Sequence, residues 1–187
     1  MYEVEVKVRA DHERVRERLA DLGADPVGGV RQVDTYYDAP HRDFAETDEV
    51  LRIRRETDLD GSAGTESHSR ARVTYKGPLI EAASKTREEH ETAVDDGEEL
   101  DAVFRGLGFE PAATVEKERE RFRLRGYTVT LDALADLGEF VEVEREAAET
   151  EVEPVREGAY DVLRDLGLDP GAQIRTSYLG LLLDAQR

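Results

Sequence analysis

Strict alternation of apolar and charged residues, repeated in several short segments, is the feature that most constrains the fold of this 187-residue chain. In residues 2–9, every even-numbered position is apolar and every odd-numbered position carries a charge. Side chains alternate between the two faces of an extended strand, so a period of two collects all the charges on one face. The segment therefore predicts a β-strand with one apolar side and one charged side.

Other segments predict strands of the same kind. They span residues 32–37, 49–55, 69–76, 86–94, 113–124, 127–133 and 140–146. Several oppose an apolar face to a face with charges of both signs, and in residues 117–123 every odd-numbered position is basic. For one strand, a solvated outer face is the simpler explanation. Agreement among many strands favours a shared polar surface that is shielded from solvent.

Helical periodicity is found between and after the strands. Helices are predicted to start after the cap residue Asp11, near Asp96 and near Pro154. A glycine follows each predicted helix. Glycine favours helix ends, because it adopts the left-handed conformation that ends a helix without strain. These glycines are Gly23, Gly108 and Gly167. Residues 178–183 predict a terminal helix, and no linker divides the chain, which indicates a single α+β domain over residues 1–187.

The composition excludes several kinds of protein and site. The chain has no cysteine, which rules out disulfides and cysteine-based zinc sites, and its four histidines lack metal-ligand spacing. No apolar run is long enough to span a membrane, and the N-terminus lacks the layout of a signal peptide, so we expect a soluble cytoplasmic protein. A net charge of −18 opposes general binding to nucleic acids or anionic membranes.

We expect a monomer or a homodimer.

The basic residues are unevenly distributed, with 22 arginines and 4 lysines. An acidic surface nearly free of lysine suggests adaptation to high salt, so each remaining lysine needs a local reason. All four fall in the charged, strand-like segments or directly beside one; they are Lys7, Lys76, Lys85 and Lys117. Strands that collect basic side chains in an acidic protein indicate an internal surface of opposite polarity.

One architecture accommodates this pattern: a closed eight-stranded antiparallel β-barrel with a polar lumen and helices packed outside. Closure also removes the sheet edges. A lumen lined with arginine and lysine should hold a polyanion, and a linear polyphosphate matches both the charge and the shape. The glutamates on the same faces would repel that chain unless divalent cations lay between, and oxygen ligands suit Mg²⁺ or Mn²⁺. These glutamates are Glu3, Glu5, Glu142 and Glu144.

The same residues resemble the sequence blocks of the CYTH superfamily, the triphosphate tunnel metalloenzymes. That superfamily includes class IV adenylyl cyclases, thiamine triphosphatases and inorganic triphosphatases. In family order, the blocks are Glu3-x-Glu5-x-Lys7, Asp34-Thr35-Tyr36-Tyr37-Asp38, Leu51-Arg52-Ile53-Arg54, Thr74-Tyr75-Lys76-Gly77-Pro78, Lys117-x-Arg119-x-x-Phe122, Leu131-Asp132 and Leu137-Gly138-x-Phe140-Val141-Glu142-Val143-Glu144. The resemblance covers essentially the whole chain. The Lys76 block and residues 176–179 resemble the class IV cyclase branch in particular.

The resemblance implies roles for many of these side chains. Two divalent ions would be bound by Glu3, Glu5, Glu142 and Glu144, with Asp132 as a further ligand or as a group behind the ligands. The phosphates would be bound by Lys7, Arg52, Arg54, Lys76, Lys85, Arg87, Lys117 and Arg119. Within these sets, the residues expected to take part in catalysis are Glu5, Lys76, Lys117, Arg119 and Asp132.

Other residues of the strands have a structural explanation beside the functional one. Arg87, Glu89 and Glu91 either face the substrate or form salt bridges in the tunnel wall. The basic residues at the end of the Lys117 strand are expected to lie past the tunnel mouth; they are Arg121, Arg123 and Arg125. Tyr36 and Tyr37 are expected to pack rather than to stack on a base.

Two reactions fit such a tunnel. In the favoured one, a class IV adenylyl cyclase reaction, the 3′-hydroxyl of ATP attacks the α-phosphorus and gives 3′,5′-cyclic AMP and pyrophosphate. In the other, water attacks a terminal phosphorus of inorganic triphosphate, thiamine triphosphate or a nucleoside triphosphate. A non-catalytic polyphosphate-binding protein is a third hypothesis, but it gives the paired glutamates no purpose. For both reactions the expected partner is a triphosphate-bearing small molecule.

Overall fold

The alternating segments pair side by side and close into a barrel. The computed structural model describes residues 2–59, 69–80 and 86–185. Its eight strands are β1 (Tyr2–Arg9), β2 (Asp25–Asp38), β3 (Val50–Asp58), β4 (Ser69–Leu79), β5 (Arg87–Val94), β6 (Glu110–Leu124), β7 (Tyr127–Leu134) and β8 (Gly138–Ala147). Around the barrel they follow the order β1-β5-β4-β3-β2-β6-β7-β8, and every neighbouring pair is antiparallel. The predicted closed eight-stranded antiparallel barrel is confirmed.

The strands β2 and β6 are longer than the sequence predicts. Both begin before their expected starts, β2 at Asp25 and β6 at Glu110. Proline and glycine in these extensions, such as Pro26 and Gly28, disfavour a regular strand and hide it from local preference. The two strands pair along their whole length, with register shifts between Pro26 and Gly28 and after Tyr36 that absorb the irregular residues.

Five α-helices lie in the described part of the chain: α1 (His12–Asp21), α2 (Phe44–Thr47), α3 (Gly97–Gly106), α4 (Val152–Asp165) and α5 (Tyr178–Ala185). The side chains of Asp11 and Asp96 cap α1 and α3 by accepting backbone N–H bonds. After α1, α3 and α4, Gly23, Gly108 and Gly167 have φ angles of 71°, 88° and 78°, the left-handed conformation that ends a helix. The sequence does not predict α2, because four residues show no helical period. None of these helices is both long and apolar enough to cross a membrane.

Helices α1 and α4 cover the apolar outer face of β1, β7 and β8. Val4, Val6 and Val8 of β1 are fully buried there, as their alternation predicts. Burial of each such side chain contributes roughly 1.5–3 kcal/mol. Beside them, the Tyr127 hydroxyl donates to the carbonyl of Val155 in α4 at 2.9 Å.

A second apolar cluster fills one end of the barrel interior, and residues of α5 pack against it. Its buried members are Tyr36, Val115, Leu134, Phe140 and Tyr178. Tyr178 is the first residue of α5, and its ring meets that of Phe140 edge-on with centroids 5.1 Å apart. Just before α5, the backbone N–H of Ile174 donates to the carbonyl of Lys7 at 2.7 Å. These contacts hold α5 against the end of the barrel.

The seam between β1 and β5 is the thinnest contact of the barrel. In the described strands, two residue pairs join β1 to β5, whereas eight pairs join β1 to β8. On the inner face, Lys76 of β4 contacts both Glu3 of β1 and Glu89 of β5. Closure at this seam therefore depends on an ion-pair network as well as on backbone hydrogen bonds.

Candidate functional site

The inward faces of the strands surround a cavity of about 1110 Å³. All eight strands contribute to its wall, and residues 175–178 complete the wall beside α5. Among the described residues, eleven basic and nine acidic side chains line it. This surplus of basic groups reverses the sign of a chain whose net charge is −18. The cavity is therefore the part of the molecule that suits a polyanion.

Three glutamates converge on one side of the cavity. Carboxylate oxygens of Glu3, Glu5 and Glu144 all lie within 4.8 Å of one another. The register of β1 and β8 is the cause, because it sets Glu5 directly opposite Glu144. Burial and the negative charge of Glu3 raise the pKa of Glu144 to about 7.

This cluster fits a hard divalent cation. Mg²⁺ and Mn²⁺ prefer oxygen ligands, and a cation would offset the repulsion that raises the pKa of Glu144. No second group of three potential ligands this close together is found among the described residues. Of the predicted metal ligands, the structure brings together Glu3, Glu5 and Glu144.

Asp132 and Glu142 lie apart from the cluster and contact basic side chains. Asp132 is fully buried in β7 and accepts hydrogen bonds from Lys117 at 3.0 Å and from Arg119 at 2.6 and 2.5 Å. Arg119 also contacts Glu142, at 2.5 Å. Glu142 lines the cavity together with Lys117 and Arg119, and Asp132 lies behind them.

The pKa values of Lys117 and Arg119 shift in opposite directions. Burial and the neighbouring charge of Arg119 lower the pKa of Lys117 to about 8. For Arg119, burial favours the neutral form, but Asp132 and Glu142 together hold the pKa above its ordinary value. The ammonium groups of Lys7 and Lys117 lie 4.1 and 4.7 Å from the centroid of the Tyr178 ring. Lys7 is buried at the end of the barrel that α5 covers.

Asp34 of β2 orients two of the predicted phosphate ligands. It accepts two hydrogen bonds of 2.7 Å from the guanidinium of Arg54, and a nitrogen of Arg52 lies 3.6 Å away. Burial opposes ionisation of Asp34, but Arg54 and Arg52 together hold the pKa well below its usual range. The two guanidinium groups are thereby fixed at the cavity wall.

Lys76 is shared between two carboxylates at the seam. It donates to Glu3 and lies 2.8 Å from an oxygen of Glu89. Burial disfavours its charge, yet Glu3 keeps the pKa of Lys76 above its ordinary value. Burial and the adjacent Glu3 raise the pKa of Glu89 to about 8, whereas Lys76 lowers the pKa of Glu3 against the effect of burial. Of the two carboxyls, Glu89 therefore has the higher pKa.

Other charged residues of β4 and β5 form contacts within the wall. Arg87 donates to the backbone carbonyl of Asp48 at 3.2 Å, and Glu91 accepts a hydrogen bond from Arg72 at 3.0 Å. All four line the cavity as well, so the wall contacts do not remove them from it.

The end of β6 differs from the expectation. Arg121 and Arg123 line the cavity rather than lying past its mouth, because β6 continues in register with β7 as far as Leu124. Arg125 follows the strand and pairs with Asp165 on the surface. Lys85, another predicted phosphate ligand, lies outside the described residues.

Sequence reasoning gave no role at the site to Asp34, Arg175 or Tyr178. Arg175 and Tyr178 line the cavity, and Asp34 holds Arg54. The sequence did offer one indication for two of them. Asp34 and Tyr178 belong to segments that resemble the CYTH superfamily, residues 34–38 and 176–179. Tyr36 packs in the apolar cluster and also lines the cavity, whereas Tyr37 faces outward, where its ring contacts Phe104 with centroids 5.2 Å apart.

Comparison with known proteins identifies the family. Residues 1–178 match the CYTH domain. The chain belongs to the CYTH family. A protein of Methanocaldococcus jannaschii named putative adenylate cyclase MJ0240 is 38% identical over 183 residues, which cover 97% of this CYTH chain and 98% of that protein. The PH1819 protein of Pyrococcus horikoshii OT3 has a similar structure, with a TM-score of 0.87, 34% identity and 99% of each chain covered.

A more distant structure shares the fold alone. It is the protein HpAC1 of Hippeastrum, described as a putative adenylyl cyclase with a dominant triphosphatase activity, and it covers 98% of this chain and 95% of its own at a TM-score of 0.64 and 18% identity. Members of the CYTH family are metal-dependent adenylyl cyclases or triphosphatases, and their tunnel fold binds triphosphates. The barrel described above is that fold.

Proposed function

We propose that this CYTH domain is a divalent-metal-dependent enzyme that converts ATP to 3′,5′-cyclic AMP and pyrophosphate inside the barrel. The observation that carries the proposal is the convergence of Glu3, Glu5 and Glu144 in a cavity whose remaining lining has more basic than acidic side chains. The choice of cyclisation is supported by the M. jannaschii relative named putative adenylate cyclase.

The carboxylate cluster would hold the cation. Glu3, Glu5 and Glu144 would be the ligands for one Mg²⁺ or Mn²⁺ ion, and Glu142, on the same face of β8 as Glu144, is the candidate for a second. When bound, such ions offset charge on phosphate oxygens and lower the pKa of an attacking hydroxyl. Asp132 lies behind Lys117 and Arg119, which supports a role in orienting those two side chains.

Basic side chains on the other walls would bind the triphosphate. They come from β3, β4, β5 and β6 and are Arg52, Arg54, Lys76, Arg87, Lys117 and Arg119. Asp34 and Asp132 fix four of them in place before substrate arrives. Groups oriented in advance stabilise developing charge without reorganising during the reaction, which is the main source of catalysis in phosphoryl transfer.

In the cyclisation, the 3′-oxygen of the ribose forms a bond to the α-phosphorus. The bond from that phosphorus to the oxygen that bridges it to the β-phosphorus breaks, the 3′-hydroxyl releases its proton to solvent, and pyrophosphate leaves. Negative charge accumulates on the departing pyrophosphate, and the basic walls are the surface that would stabilise it.

Hydrolysis of a triphosphate is the second candidate, and the character of the cavity wall favours it. Among the described residues that line the cavity, the large apolar or aromatic side chains are Tyr36, Val50 and Tyr178. These offer an adenine ring little apolar surface, whereas a phosphate chain needs none. Inorganic triphosphate and thiamine triphosphate are therefore the competing substrates.

Chromatographic product analysis distinguishes the two reactions. The purified protein is incubated in high KCl with Mg²⁺ or Mn²⁺ and, separately, with ATP, inorganic triphosphate and thiamine triphosphate. Cyclic AMP with an equal amount of pyrophosphate from ATP is the expected result. Orthophosphate without cyclic AMP would replace the cyclase proposal with a triphosphatase. Binding of triphosphate without any turnover would leave only a binding protein.

A further inference from the structure

Tyr178 lines the cavity, and its buried hydroxyl forms no hydrogen bond with any other described residue. The residue is 6% exposed, so bulk solvent has little access to it. Buried tyrosine hydroxyls normally have one, because an unsatisfied polar group is costly. The position therefore calls for an acceptor that is supplied from outside the folded chain.

The surroundings of Tyr178 separate the role of its ring from that of its hydroxyl. Its ring packs against Phe140 and lies under the ammonium groups of Lys7 and Lys117. These contacts account for the aromatic ring and would be made equally well by phenylalanine. The hydroxyl is the part of the side chain that the packing leaves unexplained.

Charge around the hydroxyl determines what it can bind. Burial and the carboxylate of Glu142 hold the pKa of Tyr178 well above its ordinary value, so the group stays protonated and acts as a donor. Lys7 and Lys117, whose ammonium groups lie over its ring, and Arg119 favour an anion here, whereas the carboxylates of Glu142, Asp132 and Glu5 oppose one. A phosphoryl oxygen is an acceptor that these three cations favour.

We propose that Tyr178 is a substrate-binding residue whose hydroxyl donates a hydrogen bond to a phosphoryl oxygen of the triphosphate. This inference rests on the proposed function and adds to it a contact from the C-terminal segment, at the end of the barrel that α5 covers. Because the bond forms only when a phosphate occupies the cavity, the hydroxyl destabilises the empty protein and stabilises the complex.

The hydroxyl should therefore have opposite effects on the stability of the empty protein and on triphosphate binding, and both can be measured. Tyr178→Phe removes the hydroxyl and keeps the ring. Binding of inorganic triphosphate in the presence of Mg²⁺ is measured by isothermal titration calorimetry, and the melting temperature of the ligand-free protein by calorimetry in the same buffer. We expect the Kd of the variant to rise by about tenfold or more, as for loss of a hydrogen bond to a charged group. We expect its ligand-free melting temperature to equal or exceed that of the wild type.

Tyr127→Phe is the matched control, because its hydroxyl donates to the carbonyl of Val155 outside the cavity. It should lower the melting temperature and leave the Kd unchanged. If wild type and Tyr178→Phe bind triphosphate equally well, Tyr178 is not a ligand and this inference alone is overturned. If Tyr178→Phe lowers the melting temperature as Tyr127→Phe does, the hydroxyl has a structural partner and the inference is also wrong. If the wild type binds no triphosphate, the proposed function itself fails.

Discussion

Single residues inside the barrel differ in whether their charge is balanced by the protein. Asp34 and Asp132 each bind two basic side chains, which remain charged and fixed although they are buried. Glu144 instead lies among other carboxylates, and its pKa rises to about 7 for that reason and because it is buried. The balanced groups account for structure, whereas the crowded ones point to a cation from outside.

Glu144→Gln tests the role of this carboxylate, which lies among other carboxylates. We expect metal-dependent turnover to be lost, because a neutral amide replaces a charged ligand. We expect the free energy of unfolding in EDTA to be unchanged or higher, because one source of repulsion is removed. Urea unfolding and steady-state assays are the measurements.

Glu118→Gln is the matched control for Glu144→Gln, since Glu118 is an exposed glutamate on the outer face of β6. It should leave both turnover and stability close to those of the wild type. Glu5→Gln should behave as Glu144→Gln does. Full activity in either of the two inner variants would remove that residue from the metal site.

Asp34→Asn tests a balanced group and its dependence on pH. The variant leaves the guanidinium groups of Arg52 and Arg54 buried without their carboxylate, so we expect a loss of about 3–5 kcal/mol in the free energy of unfolding at pH 7. The pKa of Asp34 is depressed in the folded protein, so its contribution is present above the unfolded pKa and is lost as the pH falls below about 4. The difference between wild type and variant should therefore shrink in acid.

Urea unfolding at pH 7 and at decreasing pH measures that difference. Asp58→Asn is the control, because Asp58 pairs with Arg70 on the surface, where both side chains are about half exposed. Its effect should stay within about 0.5 kcal/mol. A difference for Asp34→Asn that stays constant down to pH 3 would show that its carboxylate is not ionised in the way the structure indicates.

Among the secondary-structure elements, β5 is the least firmly held strand of the barrel. It shares two residue pairs with β1, and most of its side chains are exposed. By contrast, β7 pairs along its length with β6 and β8 and contributes Val129 and Leu131 to the core. Regions with few buried apolar contacts open locally at a lower free energy than the core.

Hydrogen exchange followed by mass spectrometry should therefore show faster exchange for residues 87–94 than for residues 127–134. Addition of Mg²⁺ and triphosphate should slow exchange in β5, because Lys76 bridges Glu3 and Glu89 across this seam and faces the same cavity. Equal protection of the two strands without ligand would contradict the weak seam. A ligand effect confined to β7 would place the bound anion elsewhere.

For the whole molecule, the net charge of −18 is the main long-range term. Negative charges on the outer surface repel one another, and salt screens them over a Debye length of about 10 Å at 0.1 M and about 3 Å at 1 M. The ion pairs inside the barrel are shielded from this effect by burial.

The melting temperature should accordingly rise between 10 mM and 1 M KCl, and NaCl at equal ionic strength should act similarly, because screening depends on ionic strength. Differential scanning calorimetry makes the comparison. A melting temperature that is flat or falls with KCl would refute the prediction of adaptation to high salt, which rests on the arginine-rich, lysine-poor composition.

The sequence by itself determined the strands, the barrel class and the sets of residues that share a face. A period of two is a local property, so residues 2–9 place Glu3, Glu5 and Lys7 on one side whatever they pair with. Irregular extensions such as the start of β2 at Asp25 could not be predicted, because their conformation depends on a partner strand.

Only the tertiary structure decided how those faces meet. The pairing of the first strand with the last sets Glu5 against Glu144, while Asp132 lies behind Lys117 and Arg119 and is separated from the carboxylate cluster. The docking of α5 brings Tyr178 beside Lys7 and Lys117. Strand order, register and the packing of a distant helix result from burial and hydrogen bonding summed over the whole chain. No local pattern of residues encodes them, and they determine which of the many charged side chains form one site.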